Sequence, residues 1–228
     1  MPRDGKTIRP LEERQTVAEA AAERVREAIL SGVYSQGQRV SDSRLAEELG
    51  VSRGSTREAL KILQVQGFLV QRPNRGTYVW SPSPADIREC CEVRVAIETH
   101  AARLLAAYHS EADMAALSDL VEQLEREAAA DDQIAASQTD KTFHETLIRL
   151  CKNARLVEVW EREVATMLGF FGVDAEAYRP LTEMGRELRP FCDAIAKANA
   201  ERAAGLIEAH VRRSTTIMAS HVEASSRR

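Results

Sequence analysis

From Thr16 to Leu30 the apolar residues follow the period of a helix. Val17, Ala21, Val25, Ala28 and Ile29 fall on one face, with Glu and Arg opposite. Ser31-Gly32 stops this helix, and Val33 to Val40 reads as a connection. Ser41 then has the chemistry of an N-cap for a short helix over Arg44–Leu49, ended by Gly50. Ser52 caps the next helix, Arg53–Gln66, ended by Gly67. Two short helices joined through Gly50-Val51-Ser52 have helix-turn-helix spacing. Two β-prone runs follow, Phe68–Gln71 and Thr77–Trp80. Between them lies the turn-forming cluster Arg72-Pro73-Asn74-Arg75-Gly76, which predicts a hairpin wing.

Ser81-Pro82-Ser83-Pro84 interrupts the pattern, because two prolines in four residues suit neither a strand nor a helix interior. Six helices are expected beyond it: Ala85–Ala107, Glu111–Ala130, Gln133–Cys151, Ala154–Phe171, Ala177–Lys197 and Ala200–Glu223. No strand-like alternation appears there. The expected fold is therefore mainly α, a winged helix-turn-helix with a small β-hairpin followed by an all-α helical bundle. The expected division is a disordered tail over 1–15, a winged domain over 16–80, a linker over 81–84 and a helical domain over 85–228. Arg3, Lys6, Arg9 and Arg14 give the tail a second reading, a basic arm that touches DNA.

Composition agrees with this plan. Aromatics are sparse at 5% and the chain is 44% hydrophobic, with abundant alanine, which costs least to place in a helix. No run of about 18 apolar residues is present, so no membrane span is expected. The polar stretch Met1–Gln15 lacks the apolar core of a signal peptide, which points to the cytoplasm. Cys90, Cys91, Cys151 and Cys192 show no CxxC spacing and read as reduced, partly buried thiols.

The net charge of −4 argues against nucleic acid until it is divided along the chain. Residues 1–80 hold 13 Lys+Arg against 10 Asp+Glu, a balance of +3; residues 81–228 hold 18 against 25, a balance of −7. The first third has the cations to neutralise phosphates, and the acidic remainder does not. A helix that enters the major groove needs donors on its exposed N-terminal face and apolar residues behind. Arg53, Ser55 and Arg57 supply the first; Ala59, Leu60, Ile62 and Leu63 supply the second. Arg72 and Arg75 in the wing can reach backbone or minor groove. Gly76 permits a turn with positive φ and close approach to DNA.

The stretch Leu45-Ala46-Glu47-Glu48-Leu49-Gly50-Val51-Ser52-Arg53-Gly54-Ser55-Thr56-Arg57-Glu58-Ala59-Leu60 carries a resemblance, continued by Leu63, Gly67-Phe68-Leu69 and Pro73-Asn74-Arg75-Gly76. It resembles the DNA-binding domain of the GntR family over residues 16–80. The resemblance implies that Arg53, Arg57 and Gly76 contact DNA. A further arginine common before the LAEELG segment is replaced by Ser43, with Arg44 one residue later, so Arg44 is the candidate in its place.

In the second half, Arg94-Val95-Ala96-Ile97-Glu98, Asp140-Lys141-Thr142-Phe143-His144 with Asn153, and Asp193-Ala194-Ile195 through Ala203-Ala204 to His210 resemble the FCD ligand-binding domain of the FadR subfamily, in its shorter six-helix VanR-type form. Read from spacing, Asp140 and His144 lie one turn apart in line with Leu147, Ile148 and Cys151, and His210 lines up with Ala203 and Ile207. They either satisfy one another in the core or serve a ligand, because unpaired buried polar groups are costly. The resemblance implies a divalent metal, zinc or nickel, held by one Asp and three His. Asp140, His144 and His210 match three positions; the fourth is Leu188. His221 lies 11 residues beyond His210, about 16 Å along a helix, and does not compensate. Arg94 either meets an effector carboxylate, as in relatives, or pairs with Glu98 one turn on.

The expected function is a ligand-responsive transcriptional repressor. A homodimer binds a palindromic operator in double-stranded DNA and is released by a small organic acid held by Arg94, Asp140, His144, Leu188 and His210. Two alternatives stand beside it: a regulator that has lost its effector or metal response, and a metal-dependent enzyme. No nucleophile motif or phosphate loop supports the enzyme.

Overall fold

The computed structural model describes residues 15–165 and 181–225. The expected tail through Arg14 lies outside the described residues. So do the end of the fourth expected bundle helix and the start of the fifth.

Local chemistry sets the first elements. Thr16 caps α1 (Val17–Leu30) in a capping box with Glu19: the Glu19 N–H donates to Thr16 Oγ1, and the Thr16 N–H donates to the Glu19 carboxylate. A two-residue strand, β1 (Arg39–Val40), precedes α2 (Asp42–Leu49), which Ser41 caps. Gly50 ends α2 at φ +65°, a left-handed position that glycine adopts at little cost. Ser52 then caps α3 (Arg53–Val65), its Oγ accepting from the Ser55 N–H at 3.1 Å. Strands β2 (Leu69–Arg72) and β3 (Gly76–Val79) form the wing.

The sheet has three strands, because β1 pairs antiparallel with β3 in the order β1-β3-β2. The segment expected to be a plain connection thus contributes an edge strand. Two residues carry too little pattern for a period of two to show. Val25 and Ile29 of α1, Leu45 of α2, Ala59 and Leu63 of α3, and Val40, Leu69 and Val79 of the sheet close one small core.

Ser83 caps α4 (Pro84–Tyr108) in a second capping box with Asp86. Pro84, expected in the linker, is the first residue of this helix, where its fixed φ fits and its missing N–H is not needed. Then follow α5 (Glu111–Ala129), α6 (Gln133–Leu150), and α7 (Ala154–Trp160), which runs into a π-helical turn over Glu161–Ala165. Next come α8 (Leu181–Ala196) and α9 (Ala200–Ser225). The two longest helices, α4 and α9, pack along each other; α5 packs against α6 and α8. Phe143, Leu147, Trp160, Leu188, Phe191 and Ile207 lie in one large core. All four cysteines are buried and free. Burial holds the thiol of Cys90 at about 11 and that of Cys192 at about 12, so both stay protonated and apolar. Trp80 packs against both cores and joins the two units.

The Ser52 cap sets where the recognition helix begins. Ser52→Ala is expected to lower the stability of the winged unit by about 1 kcal/mol, read as an earlier midpoint in urea. An unchanged midpoint would show that the cap carries no weight.

Candidate functional site

Two sites emerge, one at each end of the molecule's chemistry. The first is the exposed face of α3 and the wing. Arg53 and Arg57 stand on α3 one turn apart, both exposed. Arg57 Nε donates to Asp42 Oδ2 at 3.2 Å, and Arg44 Nε donates to Glu48 Oε1 at 2.7 Å. Both pairs are exposed and therefore weak, so each cation stays available at the cost of a carboxylate contact. Ser55 is part of the cap: its Oγ lies 2.9 Å from Ser52 Oγ. In the wing, Arg72 sits over the Tyr78 ring at 4.5 Å, Arg75 is exposed at the turn, and Gly76 holds φ +102°. One cation on this face escaped the sequence reading. Arg39 of β1 lies where a Cβ on Gly76 would come within 3.2 Å of its Nε. No linear signal places these residues together; the β1–β3 pairing does.

The second site is a charged centre inside the helical bundle. Arg94 and Glu98 come from α4, Asp140 and His144 from α6, and His210 from α9, all buried. Arg94 Nε donates to Glu98 Oε1 at 2.7 Å. The other oxygen of Glu98 lies 2.5 Å from His144 Nδ1. Glu98 therefore bridges a guanidinium and an imidazole. Burial would raise its carboxyl, but Arg94 and then His144 hold it below the usual range. The carboxylate on Nδ1 fixes the ring's orientation and turns Nε2 of His144 inward.

What Nε2 meets is His210. The two Nε2 atoms are 3.2 Å apart, with ring planes at 32°. Asp140 lies beside both, its Oδ2 3.7 Å from His144 Nε2 and its Oδ1 3.4 Å from His210 Nε2. On the outer side, His210 Nδ1 is 3.5 Å from Glu187 Oε2, and Glu187 is paired with Arg213 at 2.5 Å. These contacts to His210 are electrostatic and fall short of full hydrogen bonds: Asp140 Oδ1 and His210 Nδ1 lack hydrogen-bond partners. Burial disfavours the charged forms of both residues, and their mutual attraction overcomes it. Asp140 is held at about 2, chiefly by His144 and His210; His210 is raised to about 9 by Asp140 and Glu187.

Two imidazole nitrogens so close cannot both present lone pairs to each other. Either one of the two nitrogens carries a proton and donates it to the other, or a cation lies between or beside them. Asp140, His144 and His210 each offer one ligand atom, all within 4.8 Å of one another. One carboxylate oxygen and two imidazole nitrogens suit zinc or nickel. The unsatisfied Asp140 Oδ1 and the carboxylate behind His144 are what such a site requires. The residues present therefore fit a divalent metal.

The remaining expected residues divide. Leu188 of α8 is fully buried in the apolar core together with Phe191, Cys192 and Ile195. Asp140 and His144 do pair, at 3.7 Å, but not with each other alone: His144 also sets its Nδ1 on Glu98 and its Nε2 against His210. Arg94 does pair with Glu98, yet its Nη2 is buried without a hydrogen-bond partner. Trp160 stacks on His144 at 6.5 Å and lies 5.9 Å from the Arg94 guanidinium. It also lines a cleft of about 780 Å³ between the two units, walled by α1 and Val65–Phe68 on one side and by α6 and α7 on the other. Glu98 was legible as a partner of Arg94, but Glu187 and Trp160 had no signal in the linear pattern.

Glu98 is the counter-charge of this centre. Glu98→Ala should cost about 3–5 kcal/mol in urea unfolding, because it leaves Arg94 buried and uncompensated. The double change Arg94→Met with Glu98→Leu should recover much of that loss. Equal destabilisation of single and double variants would contradict this account.

Comparisons with known proteins agree with the two-part architecture. Residues 17–79 match the family described as bacterial regulatory proteins, gntR family, and residues 89–213 match the FCD domain. The chain is 30% identical over 202 residues to the "Probable D-xylose utilization operon transcriptional repressor" of Paenarthrobacter nicotinovorans, covering 87% of each chain. It is 29% identical over 146 residues to the gluconate operon transcriptional repressor of Bacillus licheniformis, covering 64% of this chain and 60% of that one. A crystal structure of a GntR transcriptional regulator from Rhodococcus sp. RHA1 superposes with a TM-score of 0.73 at 25% identity, covering 88% of this chain and 96% of that one.

Proposed function

Because the chain belongs to the GntR family of bacterial regulatory proteins and carries an FCD domain, we propose that it is a repressor released from a palindromic operator by a small carboxylic acid. It is a DNA-binding transcriptional regulator and not an enzyme. No helix among the described residues is long and apolar enough to cross a membrane, and a protein that works on bacterial DNA belongs in the cytoplasm.

In this reading residues 16–80 bind DNA and residues 85–228 bind effector and form the homodimer. Arg53, Arg57 and Ser55 face the major groove; Arg44, Arg72, Arg75 and Gly76 meet the backbone around it. Each winged unit spans only a few base pairs, so a unique site needs two of them and a two-fold operator.

The observation that carries the effector reading is the charged centre in an otherwise apolar bundle. Arg94 Nη2 and Asp140 Oδ1 are both buried and unsatisfied there. Such groups persist when a ligand completes them. Asp140, His144 and His210 would hold zinc or nickel, which would supply a Lewis-acid seat for a carboxylate. Arg94 would donate its free Nη2 to the same carboxylate. Leu188, in place of a third imidazole, leaves one more position open for the ligand. Of the two relatives above, one is named for a gluconate operon, which concerns a carboxylic acid, and one for a D-xylose operon. The ligand acts by binding one arrangement of the two units better than the other. Trp160 supports that coupling, since its ring stacks 6.5 Å from that of His144 and it also lines the cleft beside α1 and the end of α3.

Arg53→Ala and Arg57→Ala are each expected to weaken operator binding by about 1–3 kcal/mol in fluorescence anisotropy. Unchanged affinity in both would remove the recognition-helix assignment. For the helical domain, untagged protein should contain one zinc or nickel per chain, absent from His144→Ala. Leu188→His should tighten the metal by adding a fourth ligand. Metal-free protein that retains full release by a carboxylic acid would leave the bundle as a direct acid site.

A further inference from the structure

The cations around α3 and the wing divide by whether a carboxylate already holds them. Arg44, Arg57 and Lys61 pair with Glu48, Asp42 and Glu58 at 2.7, 3.2 and 3.4 Å. Arg39, Arg53, Arg72 and Arg75 take part in no ion pair among the described residues. A paired guanidinium must release its carboxylate before it takes a phosphate; an unpaired one releases only water. Three of the four unpaired arginines are expected DNA contacts from the sequence. The fourth, Arg39, lies outside the helix-turn-helix and the wing loop.

The sheet explains what Arg39 is doing there. It stands opposite Tyr78 on β3, and Val70 of β2 stands on the other side of Tyr78. Opposed residues share a sheet face, and so do positions two apart on a strand. Arg39, Gly76, Tyr78 and Arg72 therefore occupy one face. The opposite face carries Val40, Val79 and Leu69 into the core. On the outer face Arg72 lies over the Tyr78 ring. The Arg39 guanidinium lies over Gly76, so close that a Cβ there would meet its Nε at 3.2 Å and its Nη2 at 3.4 Å. Arg39 also borders, with Arg57 and Lys61, the cleft of about 380 Å³ between α3 and the wing. Gln64, Gln71 and Thr77 line that cleft and hydrogen-bond one another, the Thr77 hydroxyl to Gln71 at 2.8 Å and the Gln64 amide to Gln71 at 3.2 Å.

We propose that Arg39 is a DNA-phosphate-binding residue, seated on Gly76 at the edge of the wing and gripping the backbone beside the groove that α3 enters. The proposal rests on the DNA-binding reading above. Gly76 then serves twice, because its missing side chain makes room for the guanidinium as well as for the φ of +102°. Arg39 also supplies a cation next to the segment where Ser43 stands in place of an arginine.

A backbone contact is blind to sequence, so a labelled duplex of random sequence, about 30 base pairs long, is a sufficient probe. Anisotropy titrations would run from about 50 to about 200 mM salt. Arg39→Ala should bind roughly fivefold to tenfold more weakly at the low end, and the slope of log affinity against log salt should fall by about one per bound protomer. Arg39→Lys should keep most of the slope. Wild-type affinity and slope in Arg39→Ala, alongside a loss in Arg53→Ala, would overturn the proposal and leave the DNA-binding reading intact. A wild-type chain that fails to bind duplex DNA at low salt would overturn both. Thermal midpoints separate a contact from a fold defect. If Arg39→Ala melts early and Arg39→Lys shares its loss of affinity, Arg39 acts through the sheet and the proposal fails.

Discussion

The helical domain is organised around one carboxylate, Glu98, which holds a guanidinium with one oxygen and an imidazole with the other. A charge removed from water must be matched by charges and hydrogen bonds of the right geometry, or it neutralises. Three helices meet that demand together. α4 brings Arg94 and Glu98, α6 brings Asp140 and His144, and α9 brings His210. Their packing cannot slide without breaking the centre. The match is nearly complete but not fully so. Arg94 Nη2, Asp140 Oδ1 and His210 Nδ1 remain without hydrogen-bond partners.

The DNA-facing unit solves the opposite problem. Its core is small and its charges are exposed, so affinity depends on where cations stand rather than on how many there are. A net charge of −4 hides this, because the acidic surplus lies in the helical domain. Caps at Ser41 and Ser52 and the left-handed turn at Gly50 fix the angle between α2 and α3. The wing then depends on β1, a strand of two residues, to set its outer face.

The two units meet through aromatic side chains. Trp80 packs against both cores, and Trp160 lies between the charged centre and the cleft beside α1. A π-helical turn follows Trp160 directly, a geometry that recurs where a helix serves a site rather than only a core. Trp160 is thus a residue that both the charged centre and the neighbouring unit face.

The sequence by itself determined the elements, the two-part plan and most of the chemistry. Caps, glycines and the 3.6-residue period are local properties, so α1, α3, α4, α5, α6 and α9 were legible within a few residues of their ends. Asp140 and His144 were visible as polar residues on an apolar stripe, and Arg53 and Arg57 as donors at a capped helix start. Only the tertiary structure decided which of these groups meet. Whether His144 pairs with Asp140, Glu98 or His210 depends on how α4, α6 and α9 are rotated and spaced, and no single helix encodes that. Arg39 was hidden for the same reason. Its strand is too short to have a period, and its neighbour Gly76 lies 37 residues away in the chain. Contacts between distant segments are fixed by burial and hydrogen bonding of the whole sheet, which the linear pattern does not record.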